Sequence, residues 1–263
     1  MAKRWSTLEE YAYRKELSEL YEKRNFSIKE IGAHLGIKEQ TVFYRIRRLG
    51  IISNPSRKAK YCNRRTDVVI PKKYSEELAE LFGIMLGDGH VSHFQSVVTL
   101  GTKEAPYAEY VRKLFAKVFR AKAKISIRAD GYRDVYLGST EVAEWFKKHG
   151  LVSHKVRSQV SPPKWIFSNK TFLRGFIRGM FDTDGSIYRL RFGLQISFTN
   201  YSVPLLGALQ SALIKLQYKP SSISGPRLYV TRRSEIKRFL KEIKPRNPKH
   251  IRRLKQFLKE LET

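Results

Sequence analysis

Apolar residues recur at helical spacing through the first 52 residues of the chain. The first run ends before Asn25 and consists of Leu8, Tyr11, Leu17, Leu20 and Tyr21. Ser27 is a candidate N-cap for a second helix, with Glu30 at the capping-box position, and Gly36 is placed to end that helix. A third helix from residue 39 to 49 would turn Val42, Ile46 and Leu49 inward. The pattern predicts an all-α helix-turn-helix domain over residues 1–52.

Residues 31–37, followed by Thr41 and Val42, resemble the DNA-binding tri-helical domains, in which the third helix enters the major groove. That resemblance implies that five residues of the third helix face DNA: Gln40, Thr41, Tyr44, Arg45 and Arg48. A plain three-helix packing unit is the alternative. The arginines of this helix favour DNA contact.

Residues 53–74 lose this periodicity and contain a break at Asn54-Pro55-Ser56 followed by many lysines and arginines. This composition predicts a basic linker. It is either a solvated tether or a segment that lies along phosphates.

The remaining chain contains an internal repeat. Residues 81–89 (LFGIMLGDG) align without a gap with residues 177–185 (IRGMFDTDG), and each copy precedes strands, a helix, further strands and a final helix. The repeats are predicted over residues 75–167 and 168–263.

Polar and apolar residues alternate along the predicted strands. In residues 189–199 the odd positions are polar or glycine and the even positions are apolar, and residues 122–129 show a similar division. This pattern is typical of antiparallel sheets with one solvated face. The candidate DNA-contacting residues of these strands and their flanking loops are Gln95, Lys103, Lys122, Lys124, Arg128, Arg189, Arg191, Gln195, Ser197, Thr199, Arg227 and Tyr229.

The charge of the chain favours a polyanionic partner. It carries 52 Lys+Arg against 24 Asp+Glu, a formal net charge of +28, and nucleic acid is the commonest partner for such a chain. A single cysteine, Cys62, excludes an intramolecular disulfide and a cysteine-based zinc site. We find no apolar run long enough for a signal core or a membrane span, and we expect an intracellular, cytoplasmic, soluble protein.

Small residues precede an aspartate in both copies of the repeated segment. Gly83 and Gly87, and likewise Gly175, Gly179 and Thr183, lie one helical turn apart, which permits two helices to pack backbone to backbone. Asp88 and Asp184 end these helices, so their carboxylates would converge. Paired carboxylates in a basic chain predict a divalent metal site. The residues just before them, Gly87 and Thr183, are further candidate metal ligands.

At this point the chain resembles the LAGLIDADG homing endonucleases, specifically the single-chain, two-repeat kind, over about its last three-quarters. The resemblance implies an α+β fold: two pseudo-symmetric αββαββα repeats whose four-stranded antiparallel sheets form a saddle over DNA. It assigns Asp88 and Asp184 to the catalytic metals and implies Mg²⁺-dependent hydrolysis of both strands across the minor groove.

The match to that family is incomplete at two places. Asp182 has Leu86 as its counterpart, so we interpret Asp182 as structural. The family completes its catalytic centre with strand lysines and glutamines, and the candidates for that role are Gln95, Lys103, Gln195 and Asn200. His90 and His93 are interpreted as ordinary strand or loop residues.

Three functions remain open. The first is a site-specific double-strand DNA endonuclease that acts as a monomer, because two fused repeats supply both halves of the site. The second is a DNA-binding regulator without cleavage, and the third is an intron-RNA maturase. Both aspartates favour the first, because a carboxylate without metal repels phosphates. We expect a free-standing or intron-encoded protein rather than an intein.

Overall fold

The structure is a computed structural model that describes residues 6–51, 65–152, 154–191 and 193–262. The chain divides into two compact units, Met1–Cys62 and Asn63–Thr263. Cys62 and most of the predicted linker lie outside the described residues. The linker's last part is packed rather than solvated: Val68 and Ile70 contact the core of the second unit, and the N–H of Val69 donates to the carbonyl of Phe119 at 2.9 Å.

The first unit is all-α, as predicted. Helix α1 (Thr7–Ser18) continues into a π-helical turn (Glu19–Lys23), and α2 (Ile28–Leu35) and α3 (Glu39–Arg48) follow. The predicted capping box of α2 is present, with the Glu30 N–H donating to Ser27 Oγ at 3.1 Å, and Gly36 ends the helix at φ 65°. The core of this unit consists of Leu17, Leu20, Ile31, Val42, Ile46 and Leu49.

The first part of α1 corrects the sequence interpretation. Leu8 and Tyr11 are 82% and 70% exposed, although their spacing predicted an inward face. Leu17 is the first fully buried residue of α1. Tyr13 packs against the core from the side, and the large apolar residues of this part of α1 that face solvent are Leu8 and Tyr11.

The first repeat has the predicted αββαββα order. Its elements are α4 (Glu76–Gly87), β1 (Gly89–Val91), β2 (Gln95–Leu100), α5 (Ala105–Phe119), β3 (Lys124–Ile127), β4 (Arg133–Gly138) and α6 (Thr140–Lys148). The four strands form one antiparallel sheet in the order β1-β2-β4-β3. A 3₁₀ turn (Lys164–Ser168) lies in the connection to the second repeat.

The second repeat differs from the prediction by one strand. It contains α7 (Lys170–Asp184), β5 (Gly185–Leu190), β6 (Gly193–Thr199), α8 (Val203–Lys215), β7 (Arg227–Val230) and α9 (Arg233–Ile243), and α10 (Pro248–Glu262) follows. Its described residues form a three-stranded sheet, so the expected second four-stranded sheet is wrong. The segment before β7 contains Pro220, which has no N–H to donate. It meets β7 through an isolated bridge between Ser224 and Arg227 and through Ser221, whose N–H donates to the Tyr229 carbonyl at 2.8 Å, and these contacts do not make a continuous strand.

Helices α4 and α7 pack against each other through their glycines. A methyl group built on Gly83 would stand 2.5 Å from the carbonyl oxygen of Phe176, and one on Gly179 would collide with the carbonyl of Glu80. The predicted close approach is therefore present, and it brings the carboxyl ends of both helices side by side. Among the described residues, no helix combines the length and the apolar character needed to cross a lipid bilayer.

Candidate active site and nucleic-acid interface

Two aspartates meet where helices α4 and α7 end. Asp88 directly follows α4, and Asp184 is the last residue of α7. A methyl group on Gly87 would collide with the Thr183 side chain and stand 3.5 Å from the carboxyl carbon of Asp184. The convergence predicted from the small-residue spacing is therefore found. It depends on glycine at position 87, because a side chain there would push the two helix ends apart.

The two carboxylates differ in their surroundings. Asp184 is half-buried, and its burial together with the nearby charge of Asp88 raises its pKa to about 7. Asn200 opposes this shift because its Nδ2 donates to Asp184 Oδ2 at 2.7 Å. Asp88 is open to solvent on one side. The protein packed around its other sides displaces water and raises its pKa, while Lys249 and Lys155 act in the opposite direction.

Lys155 caps the carboxyl end of α4. Its Nζ donates to the carbonyls of Leu86 at 2.9 Å and Met85 at 3.2 Å, and also to that of Gly87. Burial lowers the pKa of Lys155, and the charges of the two aspartates act to raise it. At the end of α7 a backbone group takes this role, because the Gly185 N–H donates to the Phe181 carbonyl. The two helices therefore end differently.

A second basic group comes from the start of α10. Lys249 pairs with Glu104 at 2.9 Å, and the Asn247 amide donates to the same carboxylate at 2.6 Å. The charge of Lys249 lowers the pKa of Asp88, and the charge of Glu104 raises it. Sequence reasoning missed Lys155, Lys249, Glu104 and Asn247, because each lies outside both repeated segments and belongs to no local motif.

Asp182 has the structural role that we predicted for it. It is fully buried, and its carboxylate accepts the backbone N–H groups of Arg246 at 2.8 Å and Asn247 at 3.1 Å. These bonds fix the segment that leads into α10 and therefore the position of Lys249. Burial raises the pKa of Asp182 to about 7.

The donor set at the helix ends fits a magnesium ion that also binds its substrate. No cluster of three or more His, Cys, Asp or Glu side chains suited to a metal occurs among the described residues. Mg²⁺ is commonly held by one or two carboxylates together with substrate phosphates, and Asp88 and Asp184 supply that number. The Thr183 hydroxyl donates to its own helix at the Gly179 carbonyl, 3.0 Å away, and packs toward Gly87. The role of Thr183 as a metal ligand stays a prediction.

The solvent face of the first sheet collects most of its predicted residues. Residues that pair directly across strands share one face of a sheet. Val97 pairs with His90 on one side and with Tyr136 on the other, and Tyr136 pairs with Lys124. Gln95 lies two residues before Val97 on β2, so it shares this face. Arg128 follows β3 and binds Asp134, a carboxylate that sequence reasoning did not select. The remaining predicted residues of this half, Lys103 and Lys122, are exposed in loops.

In the second sheet, most of the predicted residues lie on the polar face, and one of them lies on the other face. On β6, Gln195 pairs with Tyr188 of β5, and Thr199 pairs with Arg227 of β7. Ser197 lies between them and pairs with Ser186 on one side and Tyr229 on the other. These residues therefore share the polar face. Ser197 is nevertheless buried on that face. The chain turns between β5 and β6, so residues 189–199 are two strands rather than one, and Arg191 lies in the turn. Arg189 pairs with Leu194 on the face that carries Ile187, so its predicted place on the polar face is wrong.

The predicted residues of α3 lie in the first unit. Gln40, Tyr44 and Arg48 are exposed and Thr41 is half-buried. Arg45 is also half-buried, with its guanidinium 4.1 Å from the ring centre of Tyr13. Their contact with DNA remains a prediction.

A family comparison identifies part of the second repeat. Residues 171–244 match the LAGLIDADG-like domain. This LAGLIDADG-like segment runs from α7 into the end of α9 and contains Asp184. For this segment the prediction of a LAGLIDADG-like domain is therefore confirmed.

Two curated relatives come from Methanocaldococcus jannaschii. The replication factor C small subunit is 29% identical over 193 residues, which are 71% of this chain and 10% of that protein. The glutamine–fructose-6-phosphate aminotransferase is 25% identical over 121 residues, which are 46% of this chain and 11% of that protein. The chain thus spans about a tenth of the length of these relatives.

Solved structures resemble the chain at low identity. Mesophilic variants of the homing endonuclease I-DmoI are 15% identical, with 64% of this chain and 94% of that chain covered and a TM-score of 0.46. I-DmoI with DNA and Ca gives the same identity and TM-score, with 64% and 88% covered. Full-length DUF199/WhiA from Thermatoga maritima is 16% identical, with 74% and 63% covered and a TM-score of 0.48.

Proposed function

We propose that this chain is a site-specific, Mg²⁺-dependent endonuclease that acts on double-stranded DNA as a monomer. The observation that carries the proposal is the convergence of Asp88 and Asp184 at the ends of two helices packed glycine against backbone. Two carboxylates held this close raise each other's free energy, and a divalent cation relieves that repulsion. The LAGLIDADG-like match over residues 171–244 supports the same assignment.

The charge distribution supports DNA as the substrate. The net charge of +28 favours phosphate contacts, and the polar faces of both sheets present Lys124, Arg128, Arg227 and neutral hydrogen-bonding groups. We propose that these faces lie against the duplex and that the aspartates reach the scissile phosphates. The helix-turn-helix of the first unit would lengthen the recognised sequence.

Each residue of the site has a distinct task in this proposal. A bound Mg²⁺ would activate water and neutralise the charge that develops on the departing 3′ oxygen. Asp88 and Asp184 hold the ion, and Asn200 fixes the orientation of the Asp184 carboxylate. Lys155 fixes the end of α4, which sets the position of Asp88. Lys249 lies near Asp88 and contributes positive charge where phosphates would approach.

Cleavage of a randomised duplex library tests the proposal. The wild-type chain with Mg²⁺ should produce ends with short 3′ overhangs at one long motif, and Asp88→Asn and Asp184→Asn should produce none while retaining DNA binding. Library members that are bound but never cut would refute the endonuclease proposal. Loss of binding in both variants would mean that the aspartates are structural groups.

A second candidate is a DNA-binding protein that does not cleave. The observation that favours it is the basic surrounding of the aspartates, because Lys155 and Lys249 already oppose their charge without a metal ion. Mn²⁺ titration of the DNA complex separates the two candidates. An endonuclease should bind the ion through both aspartates, whereas a pure binder should show equal ion binding in wild type and in the Asp88→Asn, Asp184→Asn double variant.

A further inference from the structure

Arg128 is held in place by two other side chains on the solvent face of the first sheet. Its Nε donates to Asp134 Oδ2 at 2.7 Å, and its Nη2 donates to Asp134 Oδ1 at 2.8 Å and to Thr99 Oγ1 at 3.2 Å. The Thr99 hydroxyl in turn donates to Asp134 Oδ1 at 2.7 Å. Two paired strand residues, Thr99 and Asp134, therefore fix one guanidinium, which is half exposed.

Asp134 acts as a support in this cluster. Both of its carboxylate oxygens are engaged, and its side chain is 21% exposed against 48% for Arg128. Burial raises the pKa of Asp134, but the hydrogen bonds and charge of Arg128 and the bond from Thr99 outweigh it, so the pKa lies below its ordinary value. The carboxylate is thus ionised at neutral pH. Its oxygens are committed to the cluster and are not left to accept from a base.

The cluster leaves the Nη1 amino group of Arg128, with its two hydrogens, available for another partner. Among the hydrogen bonds of the described residues, none uses Nη1 of Arg128. The side chain borders a groove of about 380 Å³ on this face, lined also by Gln95, Ser126 and Tyr136. An arginine has only donors, so its partner must present acceptors.

We propose that Arg128, oriented by Asp134 and Thr99, selects a guanine within the duplex that the first sheet contacts; this inference rests on the proposed function. In the major groove guanine presents two adjacent acceptors, N7 and O6, to the two hydrogens of the Nη1 group, whereas cytosine presents a donor and adenine and thymine present one acceptor each. An unsupported arginine adapts to a phosphate as readily as to a base. Fixing the side chain before binding removes that freedom and lowers the entropic cost of a directed contact.

Selection of bound duplexes from a random library without Mg²⁺, read by sequencing, tests the inference on the full chain. Wild type should prefer guanine at one position by roughly tenfold, as expected for a specific arginine–guanine contact. Arg128→Lys keeps the charge but loses the planar donor edge, and Asp134→Asn removes the support. Both should reduce the preference at that position to about twofold or less. Thr99→Val, which keeps the strand shape, should reduce it partly.

Asp130→Asn is the matched control. It removes one negative charge from the same β-hairpin. The Asp130 carboxylate accepts the Tyr132 N–H and acts on Arg128 through its charge, whereas Asp134 also accepts hydrogen bonds from Arg128. Both aspartate variants should bind duplexes that lack the preferred guanine equally well or more tightly, since each removes repulsion of phosphates. Only Asp134→Asn should lose the guanine preference. Thermal melting of every variant checks that the sheet remains folded.

Three outcomes would overturn the inference. If Asp134→Asn keeps the guanine preference and matches Asp130→Asn, then Asp134 only neutralises charge. If Arg128→Lys weakens all sequences equally, then Arg128 contacts phosphate. In both cases wild type still selects DNA, so the proposed function survives. Failure of wild type to enrich any duplex would instead refute the proposed function together with this inference.

Discussion

A methyl group at the centre of the helix pair should destabilise the second unit. In Gly83→Ala the new Cβ would stand 2.5 Å from the Phe176 carbonyl oxygen and 3.1 Å from the Met180 nitrogen, whereas ordinary contacts lie at 3.4–4 Å. The helices must therefore separate by roughly 0.9 Å at this point, or bend. Both atoms belong to the facing backbone, so no side-chain rotation relieves the contact.

The expected magnitude follows from two opposing effects. Alanine improves helix propensity by about 1 kcal/mol, and overpacking of a core costs about 1–3 kcal/mol or more. A contact with backbone atoms belongs at the upper end of that range, because the backbone cannot move aside. We therefore expect the free energy of unfolding to fall by about 2 kcal/mol. Gly207→Ala is the control because its helix, α8, has open space there, and it should gain about 0.5–1 kcal/mol.

Urea unfolding followed by tryptophan fluorescence measures this difference. Trp145 and Trp165 both pack against the core of the second unit and report its unfolding. Gly83→Ala should unfold at clearly lower urea than wild type, and Gly207→Ala at slightly higher urea. Equal midpoints for the two variants would refute the reasoning that glycines set the approach of α4 and α7. Gly83→Ala should also weaken Mn²⁺ binding, because it moves Asp88 away from Asp184.

Three further predictions concern stability and binding. Arg178→Met should cost about 3–5 kcal/mol in urea unfolding, because it leaves the Glu80 carboxylate buried without its ion-pair partner; a loss below 1 kcal/mol would contradict this. His250 is buried, and burial lowers its pKa from 6.5 to about 3. Between these pH values the unfolded chain binds a proton that the folded chain does not, so the free energy of unfolding falls as the pH drops through that range. His250→Leu should recover about 2 kcal/mol at pH 5 relative to pH 7, and an unchanged pH profile would refute the assignment. Deletion of residues 1–52 should weaken DNA binding and reduce its salt dependence, as measured by titration at several salt concentrations; an unaltered slope would argue against DNA contact by that segment.

The parts of the site that follow from local spacing could be predicted. Glycines one turn apart before an aspartate imply a close helix pair, and the structure places Asp88 and Asp184 accordingly. The basic groups around them could not be predicted. Lys155 and Lys249 reach the site only because the chain that follows α6 and α9 folds back onto the helix ends.

Errors in the strand interpretation have a similar cause. An alternating pattern from residue 189 to 199 does not reveal where a hairpin turn falls, and the turn moves Arg189 to the other face. Leu8 and Tyr11 have helical spacing, but their burial depends on whether another element covers them. Periodicity identified the type of these elements, whereas the position of the hairpin turn and the buried faces depended on contacts distant in sequence.

The unequal sheets have a consequence for symmetry. The first sheet has four strands and the second has three, and Arg128 immediately follows β3, the strand that has no counterpart in the described part of the second repeat. A protein of two identical halves reads the same bases twice in opposite directions, so it favours palindromes. This chain would read each half-site with a different set of side chains, and the sequence it prefers need not be palindromic.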